Sequence, residues 1–281
     1  MILLKSNPIV ENIIKEITPK LNKLQKKDII PTLAIIKIGT SYENDSYIKS
    51  ISNIFSKYNV KKEVYEFPHN IDEKELIDNI TKINNENKIH GIIILRPIPK
   101  HIDEKNIRNL ISKEKDVDGI TDANIASIFN EGNSTNIPCT PKAVMMMFDY
   151  YKINLEGEKV LIIGRSNLLG KPLAHLLLKK NATVTVAHTK TKDLEKEIQN
   201  ADIIISAAGS PSLITQKHIN KKHIIIDIGT SVVNSKLCGD VNFKEVENKV
   251  KMLSPVKNGI GKLTTYILLL QLVNAANNLT K

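Results

Sequence analysis

The chain has 281 residues, of which 41% are hydrophobic and 25% are charged, and its formal net charge at pH 7 is +10. This length is ample for two hydrophobic cores of ordinary size. The positive charge is compatible with nucleic-acid binding, but the lysines are spread along the chain among glutamates, with no basic tail and no zinc-binding pattern. We therefore expect the positive charge to serve an anionic cofactor or substrate, or simply solubility, rather than nucleic acid.

The cysteines and the apolar runs both indicate a cytoplasmic protein that does not enter a membrane. Cys139 and Cys238 stand alone, without the spacing of a metal site, as is typical of a reducing compartment. The most apolar run, 266–276, is shorter than the roughly 20 residues that span a bilayer, and it contains Gln271 and Asn274. We expect no bound metal.

The first half of the chain alternates apolar, β-branched runs with segments of helical periodicity. Strands that alternate with helices form parallel sheets with right-handed crossovers, so this rhythm predicts an α/β domain. Pro19 is expected to kink or split the first helix. The predicted strands are 32–38, 62–67 and 91–95, and the predicted helices are 8–26, 43–57, 72–85, 103–112 and 123–130.

A domain boundary is predicted near residue 137. The polar segment 131–136 is the best linker candidate, and an acidic turn at 115–119 precedes it. The helix after the linker is expected to begin with Thr140 as N-cap and Pro141 at its first position.

The segment 159–172 predicts a phosphate-binding turn. A wholly apolar strand at 160–163 leads into Gly164, and Gly170 opens a predicted helix at 171–180. The free N–H groups and the positive dipole end of such a helix attract phosphate. Ser166 stands where the second glycine of the usual dinucleotide motif would be, so a purely structural strand–turn–helix unit is the alternative.

The next strand, 182–187, ends in His188, Thr189 and Lys190. NAD enzymes carry a carboxylate at this place for the ribose hydroxyl. Here the place is basic, and Arg165 of the preceding turn adds another positive charge. The residues therefore favour NADP over NAD, the alternative being that Lys190 is a solvated surface lysine.

Two further strands, 202–206 and 223–228, complete the prediction of a Rossmann-type doubly wound parallel sheet. Ala208, Gly209 and Thr230 follow them and are expected at the carboxyl edge of the sheet, where such folds bind ligands. The last predicted helix, 264–278, is apolar on most of its surface. We predict an α/β fold of two α/β domains with a cleft between them, one formed by 1–137 with 264–281 and the Rossmann-type one by 138–263.

Several different short motifs follow one another along the chain at characteristic intervals. They are Tyr47 eight positions after Gly39, Pro-Ile-Pro at 97–99, Lys-Asp-Val-Asp-Gly at 115–119, Pro-Cys-Thr-Pro at 138–141, Gly-Arg-Ser at 164–166 with Gly-Lys-Pro at 170–172, Gly-Asp-Val at 239–241, and Gly-Ile-Gly at 259–261 before Thr264. In this order they resemble the methylenetetrahydrofolate dehydrogenase/cyclohydrolase family of one-carbon metabolism.

The resemblance implies a folate-binding catalytic first domain, an NADP site on the second, and a homodimer joined through the dinucleotide domains. It implies oxidation of 5,10-methylenetetrahydrofolate to the methenyl form, followed in most members by hydrolysis to 10-formyltetrahydrofolate. Tyr47 would stack beside the folate and Asp118 would hydrogen-bond its pterin. Gly259, Gly261 and Thr264 would contribute to the substrate site.

Two departures concern the hydrolytic step. The family has a lysine four residues after the tyrosine and a glutamine at the end of the third strand, and this chain has Ile51 and Leu95 there. Replacing both partners of a buried polar pair with apolar groups can leave the free energy of unfolding nearly unchanged. Replacing only one leaves the other buried without a hydrogen-bond partner. Hydride transfer requires two carbons held at reacting distance, but hydrolysis requires a titratable group. We therefore expect the dehydrogenase to persist and the cyclohydrolase to be crippled.

A third departure is the loop before Thr264, where Lys257, Asn258 and Lys262 replace two prolines and a glycine of the family pattern. Three alternatives to the dehydrogenase stay open, of which the altered loop favours the second. They are the full bifunctional enzyme, a folate- or nucleotide-binding protein without turnover, and a dehydrogenase acting on an unrelated small acid.

Overall fold

The computed structural model describes residues 1–129, 136–233 and 236–281. These residues form two compact units. Unit 1 consists of Met1–Glu11 and Thr140–Thr264, and unit 2 of Asn12–Cys139 and Thr265–Lys281. Of the predicted linker, 131–135 lies outside the described residues.

The helices and strands follow one another as the alternation in the sequence predicts, with several short strands in addition. The strands are β1 (Ile2–Leu3), β2 (Thr32–Ile38), β3 (Lys61–Phe67), β4 (Gly91–Ile94), β5 (Lys159–Ile163), β6 (Thr183–Ala187), β7 (Ile203–Ser206), β8 (Ile224–Asp227), β9 (Ser231–Val233), β10 (Lys236–Cys238) and β11 (Met252–Leu253). The helices are α1 (Asn7–Gln25), α2 (Tyr42–Phe55), α3 (Glu73–Asn85), α4 (Glu104–Arg108), α5 (Asp122–Phe129), α6 (Cys139–Tyr150), α7 (Gly170–Leu178), α8 (Leu194–Asn200), α9 (Phe243–Val246) and α10 (Ile260–Leu279).

Unit 2 contains a three-stranded parallel sheet in the order β3-β2-β4. Every residue of the central strand β2 is buried, including Lys37. Side-chain caps fix two of the helices that cross over between the strands. Ser41 accepts a hydrogen bond from the N–H of Asn44 at the start of α2, and Asp72 accepts from the N–H groups of Lys74 and Glu75 at the start of α3.

Unit 1 contains a six-stranded sheet in the order β1-β11-β8-β7-β5-β6, with every neighbouring pair parallel. From β5 the chain goes outward to β6 and then returns to β7 on the other side. The strand order thus reverses between β5 and β7, the position at which doubly wound sheets bind ligands. The predicted Rossmann-type parallel sheet is confirmed.

The first eleven residues belong to unit 1, whereas we expected them in the first domain. The reason is β1, which extends the six-stranded sheet: the N–H groups of Ile2 and Leu4 donate to the carbonyls of Lys251 and Leu253. Two-residue strands such as β1 and β11 carry too little periodicity to be recognised in the sequence.

Three helix boundaries differ from prediction. Pro19 was expected to kink or split the first helix, and it does not split it, because α1 is one helix through that residue. Helix α6 begins at Cys139, so Thr140 lies in its first turn rather than before it. The final helix begins at Ile260, four residues earlier than predicted. Among residues 1–129, 136–233 and 236–281, none of the helices combines the length and apolar character needed to cross a bilayer.

Candidate functional site

Unit 2 places Tyr47 close enough to Asp118 for the charge of the carboxyl to act on the tyrosine hydroxyl. Tyr47 lies on α2, and burial around its hydroxyl raises the pKa of Tyr47 well above its ordinary value, with negative charge on Asp118 and Cys139 adding to the effect. Burial of its carboxyl raises the pKa of Asp118 to about 6, while the positive charge of Arg96 and a hydrogen bond from the Cys139 thiol oppose that rise and the charge of Asp116 adds to it. Asp118 is therefore poised to change its protonation state just below neutral pH.

A second carboxylate, Asp116, fixes the turn that carries Asp118. Its oxygens accept the N–H groups of Ile120 and Thr121 at 3.0 and 2.8 Å and the Asn124 amide at 2.8 Å. Gly119 has φ +68, and a Cβ there would lie 2.6 Å from the backbone nitrogen of Pro138. The acidic turn 115–119 thus contains one structural carboxylate and one that remains available.

One residue at this place, on the last helix, was not expected from its own position in the sequence. Gln271 on α10 is buried and donates from Nε2 to the carbonyl of Val117 at 2.6 Å and to Sγ of Cys139 at 3.5 Å. Both partners flank Asp118 in the structure. The signal was available, because a glutamine inside the apolar run 266–276 requires a buried polar partner.

Ile51 and Leu95 are both buried in unit 2. Ile51 lies one helical turn after Tyr47 on α2 and is 0% exposed, and Leu95 follows β4 with 6% exposure. Lys49, two residues after Tyr47, is exposed.

Two other lysines of unit 2 are held by local partners. Lys37, at the carboxyl end of β2, pairs with Asp45 at 2.6 Å and Glu66 at 3.2 Å. Lys115 donates to the carbonyls of Asn84 and Glu86. Both ammonium groups thus donate to partners other than Asp118, in hydrogen bonds of 2.6–2.8 Å.

In unit 1 the glycine turn between β5 and α7 requires both of its glycines. Gly164 has φ +132, and a Cβ at Gly170 would lie 2.0 Å from the carbonyl oxygen of Gly164. Helix α7 begins at Gly170, and its N-cap residue Leu169 makes no side-chain capping bond. Ser166 shapes the turn instead, accepting the N–H of Leu169 at its hydroxyl and that of Lys171 at its carbonyl. An uncapped helix N-terminus behind a close glycine contact fits the phosphates of a dinucleotide.

The segment after β6 is shaped by its own side chains. The Thr191 hydroxyl accepts the N–H of His188, and Nδ1 of His188 accepts the N–H of Lys190 at 3.1 Å. Thr189 and Lys190 are exposed, as is Arg165 in the turn after β5. Strands β5 and β6 are neighbours in register, with Ile163 beside Ala187, so the basic residues that follow them share one edge of the sheet.

Ala208, Gly209 and Thr230 are exposed at that same edge, after β7 and β8. Nothing lies within 4 Å of the position a Cβ would take at Gly209. The structure therefore brings the predicted cofactor residues together along the carboxyl ends of β5, β6, β7 and β8.

Gly259, Gly261 and Thr264 belong to unit 1, while Tyr47 and Asp118 belong to unit 2. A Cβ at Gly259 would lie 1.9 Å from the carbonyl of Pro255, whereas Gly261 has open space around it. The Thr264 hydroxyl donates to the carbonyl of Gly261 at 2.8 Å. Of the altered loop residues, Asn258 has φ +59 and Lys262 donates to the Asn7 side chain.

The described residues contain no group of three or more His, Cys, Asp or Glu side chains arranged to hold a metal ion. Residues 4–118 match the model of the tetrahydrofolate dehydrogenase/cyclohydrolase catalytic domain, and residues 138–280 match that of its NAD(P)-binding domain. The chain belongs to the tetrahydrofolate dehydrogenase/cyclohydrolase family. The resemblance of the motifs to that family is confirmed.

Members of this family include close relatives over the full length of the chain. The bifunctional protein FolD of Dictyoglomus thermophilum is 41% identical over 274 residues, which cover 98% of this chain and 96% of that one. The structure of the bifunctional FolD enzyme from Campylobacter jejuni has a TM-score of 0.92 and 36% identity, covering 99% of both chains. The Trypanosoma brucei dehydrogenase-cyclohydrolase, solved with NADP and an inhibitor, has a TM-score of 0.92 and 28% identity, covering 99% of this chain and 98% of that one.

Proposed function

We propose that this protein is an NADP-dependent dehydrogenase that oxidises 5,10-methylenetetrahydrofolate to 5,10-methenyltetrahydrofolate. The observation that carries the proposal is the environment of Asp118, a partly buried carboxyl beside Tyr47 on a turn fixed by Asp116. Asp118 binds the pterin through hydrogen bonds and Tyr47 stacks on the folate. Family membership and the names of the relatives support the activity.

Bound NADP supplies the acceptor for the hydride. The N-terminus of α7 and the Gly164–Gly170 turn bind its phosphates, and Ala208, Gly209 and Thr230 line the edge beyond them. Arg165, His188, Thr189 and Lys190 bind the 2′-phosphate, which favours NADP over NAD. The residues orient the two reactants, and orientation is the main requirement of hydride transfer.

We propose that hydrolysis of the methenyl product is absent or slow. Ile51 and Leu95 are buried apolar side chains, so neither can activate water or move a proton. Lys37 and Lys115 are held by partners of their own and do not replace the missing amine.

The second candidate is the bifunctional enzyme, and two observations favour it. The relatives are named bifunctional at 41 and 36% identity. The pKa of Asp118 is raised to about 6 by burial, so this carboxyl is itself a titratable group close to the folate. In that case Asp118 would accept and return the proton that the family lysine handles.

We also propose a homodimer joined through unit 1. The hairpin of β9 and β10 exposes the apolar side chains of Val232, Val233 and Leu237 to 56, 40 and 50%. A cavity of about 450 Å³ adjoins the hairpin, with Phe243 and Val256 among its lining residues. Exposed apolar surface of this kind marks a protein interface.

An assay of the purified protein with methylenetetrahydrofolate and NADP tests the main proposal. NADPH should form in a folate-dependent manner and more slowly with NAD at equal concentration. Binding of both ligands without NADPH formation would instead show a non-catalytic homologue, and oxidation of an unrelated small acid alone would remove the folate assignment.

A further inference from the structure

A buried carboxylate lies beneath the turn that follows β7. The hydroxyl of Ser206 and the N–H of Ala208 donate to Oδ2 of Asp240 at 2.8 and 2.7 Å, and the N–H of Ser210 donates to Oδ1 at 2.8 Å. Asp240 is 0% exposed. Three donors within one five-residue stretch therefore converge on one side chain from a distant part of the sequence.

The outer side of the same turn is open. Ala208, Gly209 and Ser210 are exposed, and the space beyond Gly209 contains no atom within 4 Å of a virtual Cβ. Gly209 has φ +63, a conformation that glycine adopts without strain. The turn is thus fixed from inside the unit and available from outside.

A second carboxylate fixes Asp240 itself. Oδ1 and Oδ2 of Asp227 accept the N–H groups of Asp240 and Val241 at 3.0 and 3.1 Å. The N–H of Asp227 in turn donates to the Ser254 hydroxyl at 2.7 Å. The hydrogen bonds therefore run from the end of β11 through β8 to the turn after β7.

The packing leaves this arrangement no room to shift. A Cβ at Gly229 would lie 2.1 Å from the Asp240 carboxyl, and a Cβ at Gly239 would lie 1.9 Å from Oδ2 of Asp227. Each carboxyl thus touches a glycine backbone. The two glycines allow both acids to lie against the ends of the strands.

We propose that Asp240 is a positioning residue that holds the 208–210 turn in the shape that binds the dinucleotide. This inference rests on the proposed function, in which the turn contacts NADP. Asp240 does not touch the cofactor, since it is enclosed on the inner side of the turn. Its charge-assisted hydrogen bonds set the shape of the turn before the ligand arrives, which lowers the cost of binding.

Asp240→Asn tests the proposal, since an amide cannot accept all three donors. We expect the Kd for NADP, measured by calorimetry, and its KM to rise about tenfold or more, with kcat and the KM for methylenetetrahydrofolate little changed. Without cofactor, amide hydrogen exchange at Ala208 and Ser210 should accelerate.

The matched control is Asp202→Asn. That carboxyl also accepts a backbone N–H, from Lys159 at 3.1 Å, but at the amino end of β7. It should leave the Kd for NADP unchanged. If Asp240→Asn does not fold, Ser206→Ala removes one of the three bonds and should raise that Kd severalfold.

A folded Asp240→Asn protein with unchanged Kd for NADP and unchanged exchange in the turn would overturn the proposal. An equal rise in the KM for NADP and in the KM for methylenetetrahydrofolate would also overturn it. If the wild-type protein binds NADP but does not oxidise methylenetetrahydrofolate, the proposed function fails while the binding and exchange measurements still decide the role of Asp240.

Discussion

Gly170 lies directly against Gly164, so that a Cβ at Gly170 would be 2.0 Å from the carbonyl oxygen of Gly164. This contact fixes the start of α7 beside the end of β5. The same two residues stand in the sequence six positions apart after a buried strand. The close backbone contact, rather than the spacing alone, is what shapes the predicted phosphate site.

Gly170→Ala should therefore impair cofactor binding and also lower stability. The added Cβ meets a backbone atom, so the turn must move away from the N-terminus of α7. We expect the KM for NADP to rise about tenfold or more, because the phosphates lose aligned N–H groups. Steady-state kinetics with both substrates measure this change.

Gly157→Ala is the control for this substitution. It lies in the same unit with no atom within 4 Å of the new Cβ, but at φ +76. It should lower the free energy of unfolding by about 1 kcal/mol and leave the KM for NADP unchanged. An equal effect of the two substitutions on that KM would contradict the assignment.

The protonation state of Asp118 should be visible in the pH profile of the dehydrogenase. Burial raises the pKa of Asp118 to about 6. If the ionised carboxylate binds the pterin, kcat/KM falls as the pH drops below about 6, tending to tenfold per pH unit. Asp118→Asn should lower kcat/KM about 10- to 100-fold and abolish this acid limb. An unchanged acid limb in the variant would assign it to another group.

Asp227 should make stability depend on pH in the direction opposite to most carboxylates. Burial raises the pKa of Asp227 to about 7, against the lowering effect of the N–H groups of Val241 and Asp240. The folded chain thus holds this proton more tightly than the unfolded chain, whose aspartate pKa is about 3.9. The stabilisation of the folded chain by this protonated carboxyl is fully present below pH ~4 and is lost as the pH rises toward ~7.

Thermal unfolding of Asp227→Asn, measured between pH ~4 and ~7, should not show this loss of stability. Asp202 provides the contrast, because a hydrogen bond from the backbone of Lys159 lowers its pKa. Its stabilising contribution disappears as the pH falls, not as it rises. A loss of stability toward neutral pH that persists in Asp227→Asn would show that Asp227 is not its source.

Much of the fold was predictable because β4, β5 and β7 are short apolar runs that alternate with segments of helical periodicity. The central strand β2 is also mainly apolar, apart from Thr32 and Lys37. The continuity of the helix through Pro19 was not predicted. Packing of the buried residues Ile13 and Ile17 outweighs the hydrogen bond that the proline cannot make. The β1 strand was missed because two residues gain their structure only from pairing with β11.

The candidate site was predictable where single residues carry the chemistry. Tyr47 and Asp118 are in electrostatic contact, as folate binding by both would require. Gln271 carried a signal, because it lies in the apolar run 266–276. Asp116 and Asp240 were not evident, because they act through hydrogen bonds to residues that are 4 to 34 positions away in the sequence. Such contacts depend on the tertiary structure and leave no local pattern.

The apolar pair can be tested by restoring the polar side chains. Ile51→Lys alone places an amine in a fully buried position and should lower the free energy of unfolding by about 3 kcal/mol or more. Ile51→Lys with Leu95→Gln should recover part of this loss and accelerate hydrolysis of the methenyl compound. Ile54→Lys, on the same helix at 9% exposure, is the control and should give no hydrolysis.

The most direct measurement follows NADPH and methenyltetrahydrofolate together after methylenetetrahydrofolate and NADP are mixed with the wild-type protein. The two products should appear in equal amounts, and the methenyl compound should then decay at the rate seen in buffer alone. Decay much faster than in buffer would contradict the loss of hydrolysis at Ile51 and Leu95, and failure to form NADPH would contradict the dehydrogenase itself.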